Sequence, residues 1–285
     1  MILRRTPRRD KNALLIPSLV GLERTLRFFQ AICQIIASYP AVFGLFLAVL
    51  DFSSAKAHPP VETLSVVLGL RQRFNLARRF FRFFRFLESF HAAQKLYATI
   101  SPSSRANEKQ KAPAPLDAWL DVFARTFNGM YLLLDTPAII TDLRIDGLHL
   151  LSPEWDRVLM IEAQRFWLFA LVCGALSSFL KMQRLRAETP SNVVVGGVGE
   201  RKTEQSNIVA IKEKEQAANI EIMAMAKKRN RLARTATANA LDIILPGAVI
   251  GWIDVSPGAV GLAMLVTTIL TGMDAWERCG REVLV

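Results

Sequence analysis

The chain has 285 residues, a formal net charge of +11 and 51% hydrophobic residues, with a positive mean hydropathy. Soluble chains this basic normally gain their charge at the expense of apolar content, so the combination points to a membrane partner rather than to a freely soluble domain. Cys33, Cys173 and Cys279 lie far apart without C-x-x-C spacing, and His58, His91 and His149 have no companion at metal-ligand spacing. Neither a disulfide framework nor a metal site is therefore expected.

The first residues, MILRRTPRRDKNALLIPSLVGLERTL, have a basic start but only a short apolar run, broken by Pro17 and Gly21. Asp10 and Glu23 argue against a mitochondrial presequence, so no cleaved signal is expected. Residues 22–36 form an amphipathic helical pattern, with Leu22, Leu26, Phe29, Cys33 and Ile36 on one side and Glu23, Arg27, Gln30 and Gln34 around the other. No charge occurs from Phe28 to Leu50, long enough for a span. Pro40 pushes the preceding residue out of the α region, so a helix ending near Tyr39 and a second apolar helix reaching Leu50 are expected instead.

Residues 61–97 read as one long helix that contains LRQRFNLARRFFRFFRFLESF, residues 70–90. Arg71, Arg78, Arg82 and Arg85, with Asn75 and Ser89 at intervening steps, form a polar seam beside Arg79; Phe80, Phe83, Phe84 and Leu87 lie opposite, flanked by Phe74 and Phe81. A basic seam backed by an aromatic face is the pattern of a helix lying in a membrane interface, its apolar side sunk roughly 5–10 Å past the headgroups. The expectation is that these arginines meet an anionic phospholipid bilayer and these phenylalanines enter it. Nucleic acid would use the arginines but leave the phenylalanines unexplained, so no nucleic-acid partner is expected.

Residues 101–115, SPSSRANEKQKAPAP, have no apolar period and read as a linker closing an N-terminal basic region, 1–100. The central region, 116–185, resumes with Trp119, Phe123, Phe127 and Tyr131, and Asp135-Thr136-Pro137 marks an expected helix break. Asp142 and Asp146 stand four apart and read as a solvated face. Ser152-Pro153-Glu154 is a helix start, leading to a candidate membrane helix at 158–180 whose uncharged part, 166–180, is short for a span. Oblique crossing and burial in protein are both open for it. A second linker, 186–207, contains VVVGGVGERKTEQSN, whose glycines lack the strand and helix that a phosphate loop requires. The last region, 208–285, is a long helix, mixed then basic in charge, followed by an uncharged run at 255–273 with Trp252 and Trp276 at its ends. Gly258, Gly261 and Ala263 supply a small-residue face for helix packing in lipid, so a span or hairpin is expected here. The fold class is therefore all-α: a membrane-associated protein with amphipathic helices and one or two hydrophobic C-terminal spans.

Four segments resemble the peroxisomal biogenesis factor 11 family, particularly its fungal members. They are LERTLRFFQ, RQRFNLARRFFRFFRFLESF, DVFARTFNGMYLLLDTPAIITDLRIDGL and NALDIILPGAVIGWIDVSPGAVGLAMLVTTIL. The most specific feature is Asp242, Pro246, Gly251 and Trp252 followed by Val260-Gly261. The resemblance implies a peroxisomal membrane protein that promotes elongation, proliferation and division of the organelle by amphipathic-helix insertion. It also implies self-association and engagement of the dynamin-related fission machinery. No catalytic residue, cofactor or small-molecule substrate is expected, so the protein is expected not to be an enzyme. A membrane channel for small metabolites, and a membrane adaptor or tether without remodelling activity, are the alternative readings.

Overall fold

A computed structural model describes residues 11–53, 60–101, 114–143, 152–188 and 204–283. Most of both expected linkers, Asp146, and the side chain of Trp276 lie outside what it describes. Among the described residues all regular structure is helical: α1 (Lys11–Ser38), α2 (Pro40–Ser53), α3 (Pro60–Phe81), α4 (Arg85–Ile100), α5 (Leu116–Asp142), α6 (Pro153–Glu188), α7 (Glu204–Asp242), α8 (Ile244–Ile250) and α9 (Pro257–Val283).

Proline sets several of the boundaries. Pro40 opens α2, and the chain turns by 108° between α1 and α2, as the restriction on the residue before proline demands. Pro60, Pro153 and Pro257 each begin a helix, where the missing N–H has no intrahelical acceptor to lose. Ser256 caps α9 by accepting from the Ala259 N–H at 3.2 Å. At the end of α8, Gly251 takes φ 83°, and the Trp252 and Ile253 N–H groups donate back to the Gly247 carbonyl. That left-handed residue is the reason for glycine within the Pro246–Trp252 motif.

Two expected boundaries are corrected. The helix expected over 61–97 is interrupted at Arg82–Phe84, where bonds from Arg82 to Arg79, Phe83 to Phe80 and Arg85 to Arg82 follow an i to i−3 pattern. Conversely, α5 runs straight through the expected break at Pro137 as far as Asp142. A proline inside a helix removes one hydrogen bond and crowds the preceding turn. Here Arg79 bonds Asp135 before the proline and Asp142 two turns later, fastening both sides of the weak point to α3.

α4 and α5, and likewise α5 and α6, run antiparallel. On α4 and α5, Phe90 meets Gly129 and Tyr97 meets Trp119; on α5 and α6, Tyr131 stacks on Trp167 with centroids 5.3 Å apart. α1 lies against both α3 and α9, while α7 packs on α6 and α9. The regions on either side of the linkers thus interlock. Gly258 abuts Tyr39, just after α1, and Gly261 abuts Gln34 of α1, while Ala263 packs with Ala31 in a small core that also holds Leu245 and Met264. The small-residue face of α9 therefore meets α1.

Among the described residues one helix segment, Pro153–Ala187, is long and apolar enough to cross a membrane, and only 22% of its most apolar window is buried within the protein. The bent pair Gly21–Ser38 and Pro40–Val49 qualifies only if taken together, and the apolar part of α9, Pro257–Met273, is shorter than a span. Length and hydropathy thus select α6 ahead of the C-terminal run. Deleting residues 256–285 is accordingly expected to leave the protein resistant to alkaline carbonate extraction. Replacing Phe169, Leu176 and Phe179, which are exposed on α6, with lysine is expected to release it into the supernatant, because each central charge costs about 2.5–3.5 kcal/mol.

Candidate functional site: a charged interior and an apolar exterior

The arginine seam expected to face headgroups turns inward. α1 carries Glu23, Arg27, Gln30 and Gln34 at steps of three and four, and α3 with the following turn carries Arg71, Asn75, Arg78 and Arg82 at the same steps. Two antiparallel helices with polar seams of equal period can bury both against each other, pair by pair. Arg71 donates to the Gln34 side-chain oxygen at 2.5 Å, and Arg78 donates to that of Gln30 at 2.6 Å. Arg85 pairs with Glu23, and Arg82 stands 3.7 Å from the same carboxylate.

α5 completes the network. Arg79 donates to both Asp135 carboxylate oxygens, at 2.8 and 3.3 Å, and pairs with Asp142. Arg82 donates to the Tyr131 hydroxyl at 2.9 Å, with its guanidinium 5.6 Å from that ring's centre, and lies 3.6 Å from Asp135. Arg78 and Arg79 are 7% and 8% exposed, which excludes them from headgroup contact in this arrangement. Arg78, Arg79 and Arg82 are drawn in because carboxylates and amides on α1 and α5 stand at matching heights.

A parallel arrangement ties α1 to the C-terminal region. Arg27 pairs with Asp242 and donates to the Thr267 hydroxyl at 3.0 Å, while Thr267 donates to Asp242 at 2.6 Å. Asp242 and Pro246 are both buried. At the far end of α5, Lys181 pairs with Asp121 and Arg184 with the buried Asp117, closing α5 onto α6.

Burial and charge set the proton affinities. Desolvation pulls Arg78 down to about 9, with Arg82 and Arg27 adding repulsion, yet it remains a cation at neutral pH. Burial acts on Arg82 in the same sense, but Tyr131, Glu23 and Asp135 outweigh it and raise it overall. Burial raises the Tyr131 hydroxyl, keeping it a neutral hydrogen-bond partner.

The outside of the same elements is apolar. Phe80, Phe81, Phe84 and Leu87 are exposed around the α3–α4 turn, Phe84 at 69%. Phe74 instead stacks on Phe29 of α1, and Phe83 meets Phe84 edge to face while half-buried itself. On α9 the outward residues are Leu262, Val266, Ile269 and Met273, whereas Gly261, Thr267 and Thr268 face in. On α6 Phe169, Leu176 and Phe179 face out, and Ser177 and Ser178 are buried. These outward apolar groups on α6 and α9, with small and hydroxyl residues among those turned inward, suit a lipid surround.

Sequence reasoning singled out the arginines but missed most of their partners: Glu23, Gln30, Gln34, Tyr131 and Asp135. The matched period of the α1 and α3 seams was the available signal. Among the described residues no group of three or more His, Cys, Asp or Glu side chains could hold a metal ion. Because Arg79 and Asp135 are buried together, replacing either alone with alanine is expected to cost about 3–5 kcal/mol. Arg79→Met with Asp135→Leu should recover much of the loss. Denaturant unfolding in detergent, followed by circular dichroism, measures both.

The family model for peroxisomal biogenesis factor 11 matches residues 13–276. Neither a curated protein nor a solved structure matches the chain. The residues that organise the interior, from Glu23 and Arg27 through Arg79 and Asp135 to Asp242, all fall within the matched range. The chain belongs to the peroxisomal biogenesis factor 11 family and is a peroxisomal membrane protein with a role in peroxisome biogenesis.

Proposed function

We propose that the protein elongates peroxisomal membranes, and so promotes proliferation and division of the organelle, by wedging the apolar elbow between α3 and α4 into one leaflet. The observation that carries this reading is the outward exposure of Phe80, Phe81, Phe84 and Leu87 on a turn whose arginines are bound inside. Fully burying one such side chain contributes about 1.5–3 kcal/mol. Four together exceed the ordering cost of docking a preformed elbow. Insertion on one side expands that leaflet at headgroup depth, and bending relieves the area mismatch.

The arginines act here as the frame that holds the wedge. A flexible aromatic peptide would lose side-chain and backbone entropy on entering the interface, whereas an elbow fixed to α1 and α5 has already lost it on folding. Self-association of such elbows on one membrane would add their area effects, and the elongated membrane is the substrate on which a dynamin-related fission machinery acts. The protein supplies shape in this scheme and has no catalytic step of its own.

Replacing Phe80, Phe81 and Phe84 together with serine in the full-length protein is expected to abolish tubulation of anionic liposomes while leaving helix content and the thermal midpoint unchanged, because all three are exposed. Tubulation equal to the parent's would instead favour an adaptor or tether without remodelling activity.

A further inference from the structure

Within the bundle, Glu23, Asp135, Asp142 and Asp242 are taken up by Arg27, Arg79, Arg82 and Arg85. Among the described residues Arg71 and Arg78 have only neutral partners: Arg71 holds the Gln34 amide oxygen, and Arg78 holds that of Gln30 and a distant Met264 sulfur at 3.9 Å. An amide oxygen satisfies a donor without neutralising the charge, and a buried cation so placed is costly. The Arg78 Nε is buried with no hydrogen-bond partner at all.

Both glutamines line a cleft of about 700 Å³ between α1 and α3, together with Ser65, Arg71, Gln72 and Asn75. Its polar wall consists of amides, a hydroxyl and a guanidinium, with no carboxylate. A second cleft of about 430 Å³ shares Gln34 and Arg71 and continues toward Tyr39 and Ser256. Exposed Leu68 borders both, so an apolar chain could lie beside the polar floor. Surplus positive charge, several N–H donors and no acid together make a receptor for an oxyanion, whose acceptors suit the guanidinium fork.

We propose that this cleft binds a phosphate group, carried by an anionic lipid or free in solution. Arg71 contacts it directly, the Gln72 and Asn75 amides orient it, and Arg78 adds its field from behind Gln30. The bound anion supplies the counter-charge that α1 and α3 lack. This site is independent of the aromatic elbow, and either could exist without the other.

The test uses the full-length protein in neutral detergent and in phosphatidylcholine nanodiscs. Its thermal midpoint is followed against inorganic phosphate at constant ionic strength, and against nanodiscs containing phosphatidic acid. The parent midpoint should rise with at least one of them, as binding to the folded state requires. A rise with phosphatidic acid alone assigns a lipid headgroup; a rise with inorganic phosphate assigns a soluble source. Arg71→Gln should weaken the response about tenfold or more, while Arg125→Gln, an exposed arginine on α5, should respond like the parent. Asn75→Asp places a carboxylate in the cleft, so its midpoint without anion should exceed the parent's and its anion response should vanish. No response from the parent to either source overturns the proposal, as does an Arg71→Gln response equal to the parent's. If Arg71→Gln does not fold, Asn75→Asp decides alone, and an unchanged midpoint and response in that variant sink the idea.

Discussion

Arg79 is the interaction on which the rest of this structure depends. It leaves α3 one turn before the elbow and bonds Asp135 and Asp142, two turns apart on α5 with Pro137 between them. The guanidinium is suited to this because its donors form a rigid planar fork and its charge persists under burial. One side chain thereby docks α3, carries α5 across its proline and fixes where the following turn begins. Arg82 extends the same contact to Tyr131 and Glu23, so that α1, α3 and α5 converge on one elbow.

A charged interior of this kind is expensive in water and more so in lipid, where an unpaired charge has no solvent to retreat to. The bundle meets the cost by pairing. Glu23 serves Arg82 and Arg85, Asp242 serves Arg27 with help from Thr267, and Asp117 and Asp121 serve Arg184 and Lys181. Small residues let these pairs close. Gly258 and Gly261 allow α9 to approach α1 so nearly that a Cβ at either position would fall within 3 Å of a neighbouring side chain. Leu, Phe, Val and Ile also lie on the outer surface, as on α6 and α9. That distribution gives a peroxisomal membrane protein an exterior compatible with acyl chains.

The position of the elbow follows from the same constraint. Three-residue bonding at Arg82–Phe84 shortens the turn, keeps Arg82 and Arg85 over α1 and α5, and swings Phe84 to the outside. The exposed aromatic cluster thus sits on the outside of a turn whose arginines bond within the bundle.

The sequence by itself determined the helical class, the helix starts at Pro40 and Pro153, and the family, because these rest on local chemistry: the fixed φ of proline, the 3.6-residue period and short motifs such as the one from Asp242 to Trp252. It also marked the arginines and phenylalanines of residues 70–90 as opposite faces of one element. Which face looked outward was decided only by tertiary structure. Periodicity is symmetric between a basic face in water with its aromatic side buried and an aromatic face in lipid with its basic side buried. Only the placement of Glu23, Gln30, Gln34 and Asp135, residues from 37 to 62 positions away from the arginines they hydrogen-bond, Arg85, Arg78, Arg71 and Arg79, breaks that symmetry. The passage of α5 through Pro137 has the same origin, since local rules count the bond that proline removes, whereas Arg79, which holds both sides of it, comes from another helix.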